Sequence, residues 1–425
     1  MNLTYRKKIL DNGLRIIAHP MSGRQSAALG IWIRVGGRYE SLQFKGIAHF
    51  LEHLLFKGSK NYSCRQIKES IEGVGGSLNG FTSEELTCYL VKIPHAYLDL
   101  ALDILLDMVI NPLLLQKEID KERTVILEEI KMYKDLPQSY VYELLDELLW
   151  PNHPLGSPII GRVDSVNRIK RDSLSLFKKR YYNPSNIIIS AAGSLDCDKF
   201  AKRIAAIFSS PKEKYAAAFS TVNERQLKPQ LKLLHKETEQ THLALGFHGF
   251  KRGHPLRYAL GLLHIVLGAN MSSRLFNEVR EKKGLAYEIG TAVKYFQDTG
   301  AFIVHAGIDN RKVLRAMKVI LRELEKIKDK PINLSEFKRA KEFYLGQLML
   351  VLEDTLDHML WIGESTATLD KVYSLSDIID EVKNIKRRDI QEVARYLFGE
   401  KKINLALIGP LKDSEEAIYD NLRLN

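Results

Sequence analysis

The sequence predicts an α+β protein that contains two copies of one folding unit. A chain of 425 residues is too long for one ordinary hydrophobic core. Strand-like and helix-like segments alternate through the first half, and a helix followed by the apolar strand 186–195 recurs about 216 residues later with the strand 403–411. This duplication predicts a first domain at 1–215 and a second at 225–425, joined by a loop around 209–228.

The individual elements follow from periodicity and from turn residues. Apolar alternation predicts strands, whereas apolar residues three and four apart predict helices. Ser63 is expected to cap a helix, and the Gly73-Val74-Gly75-Gly76 segment is expected to interrupt the chain before a pair of strands. In chain order the predicted elements are strands 14–18 and 26–35, helix 63–72, strands 77–82 and 85–92, helices 96–110 and 116–134, strand 186–193, strand 243–247 and helix 256–267.

Composition predicts a soluble, cytoplasmic protein. The contents of 45% hydrophobic and 27% charged residues are typical of globular proteins. No apolar run reaches the roughly 18 residues of a membrane span, and the N-terminus lacks the apolar stretch of a signal peptide. The three cysteines, Cys64, Cys88 and Cys197, are odd in number and widely spaced, so a disulfide framework is not expected.

The net charge of +11 does not indicate a nucleic-acid partner. Lysine and arginine are interleaved with acidic residues, as in 121–123 and 280–283, which is typical of a solvated surface. The chain also lacks the alternation of aromatic and basic residues on which single strands stack. We therefore expect no nucleic-acid partner.

The segment His49-Phe50-Leu51-Glu52-His53 carries the strongest functional signal. It lies in a proline-free run with helical periodicity, where residues four apart share a face, so both imidazoles can point toward one ion. Glu52 lies on the same side as the two histidines. Two histidine ligands, a free carboxylate and an open coordination position describe a hydrolytic zinc site, and H-x-x-E-H is the inverted zincin motif. The alternative is a pair of packed core histidines that lie four apart by chance.

A zinc site of this kind needs a third ligand. The predicted helix 116–134 supplies several carboxylates, of which Glu122 and Glu129 are seven residues apart and lie on one face. Glu128 points about 100° away from Glu129 and is the weaker candidate. Most glutamates on such a helix are solvated, so the residues alone leave the choice open.

Together these segments resemble the pitrilysin/insulinase group of zinc metallopeptidases, in particular bacterial peptidases similar to the mitochondrial processing peptidase. Glu129 follows His53 by 76 residues, and the resemblance covers nearly the whole chain, including a degenerate second copy. It implies an α+β fold of two duplicated domains, each a mostly antiparallel sheet packed with helices on one side. It also implies that His49, His53 and Glu129 bind zinc, that Glu52 is the catalytic base, and that Glu122 supports a metal-binding histidine.

The resemblance extends to a glycine-rich edge strand. In the family the substrate is held beside the metal as an added β-strand, whose backbone supplies the groups that an edge strand lacks. Asn79 is the side chain expected to contact the substrate backbone. The alternative is an ordinary turn and strand with no ligand. The predicted substrate-binding residues are Gly76, Ser77, Leu78, Asn79 and Phe81.

Arg280 and Tyr287, in the degenerate copy, resemble an arginine and a tyrosine seven apart that reach over the zinc in the family. Arg280 would hold the substrate, and Tyr287 would donate a hydrogen bond to the oxyanion. The alternative is a surface arginine beside a buried tyrosine. Since one chain carries the zinc motif as well as these two residues, the resemblance predicts a homodimer whose sites are completed across the interface.

The function implied by the resemblance is that of a zinc metalloendopeptidase acting on peptides or unfolded segments. The alternative is a non-catalytic core or regulatory subunit, as found among relatives of the processing peptidase. Such relatives usually lose zinc ligands, whereas this chain keeps all of them. Processing of one precursor and general degradation of oligopeptides are both compatible with the sequence.

Overall fold

The computed structural model describes residues 5–208, 217–411 and 414–424. The helices and strands of these ranges confirm the predicted α+β class. The first part of the predicted connecting loop, 209–216, lies outside the described residues, as do 1–4, 412–413 and 425.

The described ranges contain strands and helices in alternating groups. The strands are β1 (Arg6–Ile9), β2 (Arg15–Pro20), β3 (Ser26–Ile33), β4 (Ser77–Thr82), β5 (Thr87–Pro94), β6 (Ile187–Gly193), β7 (Gln230–His235), β8 (Gln240–His248), β9 (Ala286–Tyr295), β10 (Gly300–Asp309) and β11 (Asn404–Gly409). The helices are α1 (Ile47–Leu55), α2 (Cys64–Glu72), α3 (Leu98–Ile110), α4 (Gln116–Asp135), α5 (Pro137–Leu149), α6 (Val163–Arg168), α7 (Arg171–Tyr181), α8 (Cys197–Ile207), α9 (Arg257–Leu267), α10 (Val313–Asp329), α11 (Leu334–Val351), α12 (Thr355–Leu369), α13 (Leu375–Asn384), α14 (Arg387–Leu397) and α15 (Glu415–Tyr419).

The strands form two sheets of matching order. The first sheet has the order β1-β2-β6-β3-β5-β4, and the second has the order β7-β11-β8-β10-β9. Neighbouring strands are antiparallel except for the parallel pairs β2/β6 and β7/β11. With β1 set aside, the two orders correspond strand for strand along the chain. The sheets are therefore mostly antiparallel, as predicted, and their matching order supports an internal duplication.

The chain divides into two compact units. The first contains Met1–Lys131, Ser157–Ser220 and Met349–Ser376, and the second contains Met132–Gly156, Thr221–Leu348 and Asp377–Asn425. Each unit thus includes one helix from a distant part of the chain, α12 in the first and α5 in the second. The division at 1–215 and 225–425 stays a prediction about the two copies of the duplicated unit.

Both faces of the first sheet are covered. One face packs against a layer that includes α3 and α8, whereas on the other face Trp32 and Ile188 pack with Met359 of α12. Gly363 allows this close approach, because a Cβ there would overlap Trp32 Nε1. Strand β6 is buried along its whole length, which is typical of a strand covered on both faces.

The second sheet is covered in the same way. Its helical layer includes α9, α10 and α14, and on its other face Leu144 and Leu145 of α5 pack against Ala244 and Ile303. The predicted layer of helices on one side is thus present in each unit. The single helix on the second face of each sheet is not part of the prediction. It is needed because strands that are apolar at nearly every position must be covered on both faces.

The predicted element bounds agree with the structure to within a few residues. Strand β4 has the predicted bounds, and Ser63 caps α2 in a capping box with Gln66. The strand predicted at 85–92 begins later, because Ser83 N–H donates to Leu86 O and closes a turn before it. No helix in the described ranges is both long and apolar enough to cross a membrane.

Candidate metal centre

Helix α1 presents both motif histidines on one face. The ring centroids of His49 and His53 lie 4.5 Å apart, as expected for residues one helical turn apart. The opposite face packs Phe50, Leu51 and Leu54 into the core of the first unit. This packing fixes the rotation of the helix, so both imidazoles are directed away from the core.

A buried ion pair holds the start of α1. The Glu40 carboxylate accepts hydrogen bonds from the backbone N–H groups of Gly46 at 3.0 Å and Ala48 at 2.7 Å, and Lys45 Nζ lies 3.4 Å from it. The carboxylate satisfies donors at the helix N-terminus and complements the positive end of the helix dipole. A sequence pattern does not reveal this cap, because Glu40 lies outside the N-cap position, which Gly46 occupies.

Helix α4 brings a carboxylate against the two histidines. Glu129 Oε2 lies 3.9 Å from His49 Nε2 and 3.8 Å from His53 Nε2. Both distances are too long for hydrogen bonds, and within the described ranges this buried oxygen has no hydrogen-bond partner. The three donor atoms lie within 4.8 Å of one another. Two imidazole nitrogens and one carboxylate oxygen in this arrangement fit a shared zinc ion.

This donor set has no counterpart among the described residues of the second copy. Among the residues that the structure describes, His49, His53 and Glu129 are the one group of three or more histidine, cysteine, aspartate or glutamate side chains that could hold a metal ion. The described part of the chain therefore offers a single candidate centre, and it lies in the first unit.

Glu122 and Lys57 lie behind the second histidine. Glu122 Oε2 lies 3.2 Å from His53 Nδ1, and Glu122 Oε1 lies 2.7 Å from Lys57 Nζ. A carboxylate at Nδ1 favours the tautomer in which Nδ1 carries the proton and Nε2 keeps its lone pair. The structure thus places Glu122 beside His53, and its support of a metal-binding histidine stays a prediction.

Burial and neighbouring charges shift the pKa values of the two histidines in opposite directions. Burial, together with His53, lowers the pKa of His49 to about 3, so this imidazole is neutral at pH 7. Burial also opposes protonation of His53, but the hydrogen bond to Glu122 and the charges of Glu52 and Glu129 outweigh it and raise the pKa above its ordinary value. His49 therefore offers a lone pair directly, whereas His53 is the histidine at which protons compete with a metal.

Glu52 lies on the same helix but outside the donor set. Its side chain is nearly buried, with 8% of its surface exposed, and Thr82 Oγ1 donates a hydrogen bond to its Oε2 at 2.9 Å. Burial raises the pKa of the carboxyl, and the Thr82 hydrogen bond opposes that increase. A carboxylate with a raised pKa accepts a proton more readily than an ordinary glutamate.

Strand β4 forms the edge of the first sheet and pairs with β5 on one side. Ser77, Asn79 and Phe81 are exposed and alternate with half-buried residues. Asn79 Oδ1 accepts a hydrogen bond from Gly80 N–H at 2.8 Å, so this side chain contacts the backbone of its own strand. Phe81 packs edge-on against Trp32, with 5.8 Å between ring centroids.

The other two residues predicted to bind substrate are engaged with the protein interior. Gly76 N–H donates to Ile71 O at 2.9 Å, and a Cβ on Gly76 would come within 2.9 Å of that oxygen and 3.0 Å of Ile93 Cγ1. Leu78 packs against the core of the first unit. These two residues therefore support the edge strand from within.

Arg280 and Tyr287 lie together in the second unit. Arg280 belongs to a π-helical turn, Phe276–Glu281, and Tyr287 lies near the start of β9. The guanidinium carbon of Arg280 is 5.2 Å from the ring centroid of Tyr287 and 4.6 Å from that of Phe276. Tyr287 is 75% exposed, so it is not the buried tyrosine of the alternative interpretation.

Comparison with known proteins decides the family. Residues 15–163 match the family model described as Insulinase (Peptidase family M16), and residues 168–344 match the one described as Peptidase M16 inactive domain. An uncharacterized zinc protease of Bacillus subtilis is 38% identical over 400 residues, which cover 94% of this chain and 97% of that protein. The chain belongs to the insulinase family of peptidases. The resemblance that the motifs indicated is confirmed.

Further relatives agree with membership of the insulinase family. An uncharacterized zinc protease of Streptomyces coelicolor is 35% identical over 418 residues, covering 97% of this chain and 91% of that protein. A crystal structure of a protease from Helicobacter pylori has a TM-score of 0.90 at 25% identity, covering 96% of this chain and 100% of that chain. The names of the two relatives imply zinc, and the donor set on α1 and α4 suits that metal.

Proposed function

We propose that this insulinase-family chain is a zinc-dependent endopeptidase that hydrolyses peptides bound as an added strand along β4. The observation that carries the proposal is the convergence of His49, His53 and Glu129 beside the nearly buried Glu52. Three protein ligands leave a fourth position of a tetrahedral zinc ion open, which is typical of catalytic zinc sites rather than structural ones.

The groups around the donor set have different roles in the proposed reaction. When bound, zinc supplies a Lewis acid that activates water and polarises a carbonyl group. Glu52 accepts the proton of the attacking water and passes it to the leaving amine. Glu122 keeps the proton of His53 on Nδ1, so the lone pair of Nε2 is directed at the donor set.

The edge strand provides the proposed peptide site. An extended peptide that pairs with β4 would satisfy backbone groups at the sheet edge without reading particular side chains. This mode of binding supports the acceptance of peptides and unfolded segments of varied sequence. Asn79 is exposed, and because its Oδ1 is bonded to Gly80 N–H, its amide nitrogen remains as a donor for the peptide backbone.

Zinc analysis combined with a cleavage assay tests the proposal. The purified protein should contain one zinc ion per chain and cleave a quenched peptide, and a chelator should abolish cleavage. Glu52→Gln should keep zinc but lose about 100-fold or more in kcat. Glu128→Gln is the matched control, because Glu128 is exposed and paired with Lys131 on α4. A zinc-free, inert wild-type protein would instead support a non-catalytic subunit, and wild-type cleavage by Glu52→Gln would reject the role of the base.

We further propose that a homodimer completes the site with Arg280 and Tyr287 from a second copy. Arg280 holds the substrate, and Tyr287 stabilises the developing oxyanion. Glu52→Gln and Arg280→Ala should each be inactive alone, but a one-to-one mixture reassembled as dimers should regain about one quarter of the wild-type activity, because half of the dimers carry one intact site. A mixture that stays inactive would place both residues in the same chain as the zinc they serve.

A further inference from the structure

Two residues on one face of β4 surround the carboxylate of Glu52. Thr82 Oγ1 donates a hydrogen bond to Glu52 Oε2 at 2.9 Å. Gly80, two residues earlier on the same face, lies beside the other oxygen: a Cβ at this position would come within 3.1 Å of Glu52 Oε1 and 3.0 Å of Phe56 Cζ. Neither Thr82 nor Gly80 is among the site residues predicted from the sequence.

We propose that Thr82 is a positioning residue that directs Glu52, and that Gly80 leaves the reacting oxygen of Glu52 uncovered. This inference rests on the proposed peptidase function. A glutamate side chain has several rotatable bonds and loses conformational entropy when it is ordered. A hydrogen bond made before the substrate arrives provides that order in advance, and it assigns the two oxygens different tasks. Oε2 is engaged with Thr82, and Oε1 is the oxygen that exchanges a proton.

The shared strand links the base to the substrate. In the proposed function the peptide pairs with β4, and Gly80 and Thr82 belong to that same strand. The distance between Glu52 and the scissile bond is then set through one element rather than through two that move independently. The register of the peptide on β4 therefore determines which peptide bond faces Oε1 of Glu52.

Conservative substitutions at Thr82 test this role. Thr82→Val removes the hydroxyl at nearly constant volume, whereas Thr82→Ser keeps the hydroxyl and removes a methyl group. We expect Thr82→Val to lower kcat about 10- to 100-fold with KM within about twofold of wild type. Thr82→Ser should retain kcat within about threefold. The zinc affinity of both variants, measured by competition with a chelator, should equal that of wild type, because the Thr82 hydroxyl donates its hydrogen bond to Glu52, which lies outside the donor set.

Several outcomes would overturn the inference. Wild-type kcat in Thr82→Val, an equal loss in Thr82→Ser, an effect confined to KM, or a loss of zinc affinity would each show that the hydroxyl does not act by directing Glu52. If Thr82→Val does not fold, Thr82→Ala is measured in the same way. Glu52→Gln separates this inference from the proposed function: a fully active Glu52→Gln rejects the function, whereas an inactive Glu52→Gln beside a fully active Thr82→Val rejects only the positioning role.

Discussion

Glu122 allows the metal centre to be perturbed without removing a ligand. Its two oxygens contact His53 Nδ1 at 3.2 Å and Lys57 Nζ at 2.7 Å. Glu122→Gln keeps the shape of the side chain but removes the charge that fixes the His53 tautomer. We expect the zinc affinity to fall about 10- to 100-fold, which corresponds to about 1.4–2.7 kcal/mol of binding free energy.

The assay is competition for zinc between the protein and a chromophoric chelator at fixed pH. Glu128→Gln is the control, because it removes the same charge from α4 at a side chain that is 65% exposed and paired with Lys131. Thermal unfolding of the metal-free proteins checks that both variants keep the fold. Unchanged affinity in Glu122→Gln, or an equal loss in Glu128→Gln, would refute the argument that this carboxylate supports His53.

Three further predictions concern stability. Glu40→Gln should lower the free energy of unfolding by about 3–5 kcal/mol, and adding Lys45→Met should recover most of that loss in a denaturant titration. An equal loss in the double variant would contradict the buried pair as the cause. Stability should fall as pH drops from 6.5 toward about 4, because burial lowers the pKa of His358 to about 4 and that of His49 to about 3, and the unfolded chain binds the protons that the folded chain excludes. His358→Phe should make that part of the pH profile less steep, and an unchanged slope would show that His358 does not contribute to it. Gly363→Ala, whose Cβ would overlap a core tryptophan, should cost about 1–3 kcal/mol. Gly346→Ala, in open space on a helix, should instead be neutral or stabilising; a similar loss at both glycines would argue against overlap.

Helix α1 and its pair of histidines can be predicted from the sequence because the pattern that defines them lies within one short segment. His49 and His53 are one turn apart on a helix whose apolar residues define the buried face, so their convergence follows from periodicity. The sequence does not identify the third donor in the same way. Glu122, Glu128 and Glu129 are all carboxylates on α4, and periodicity cannot tell which of them meets another helix. In the structure Glu129 lies close to Nε2 of His53, Glu122 contacts Nδ1 of His53, and Glu128 pairs with a lysine.

Contacts that depend on tertiary register could not be predicted. Glu40 caps α1 from outside the N-cap position, and Thr82 reaches Glu52 across the space between a strand and a helix. The sequence does indicate that a helix such as α12 covers the second face of the first sheet, because β6 is apolar at nearly every position and therefore needs cover on both faces. The apolar sequence of β6 indicates that the second face is covered, but the amphipathic pattern of a helix does not identify which helix covers it.

The inclusion of α12 in the first unit has a consequence for protein synthesis. The donor set is complete once residue 129 has been made, but the first unit also needs Met349–Ser376. Until then the sheet face that carries Trp32 and Ile188 has no cover, and a nascent chain with exposed apolar surface is prone to aggregation. We therefore expect the ability to bind zinc to arise late in translation, and polypeptides released prematurely by the ribosome to become clients of chaperones rather than functional fragments.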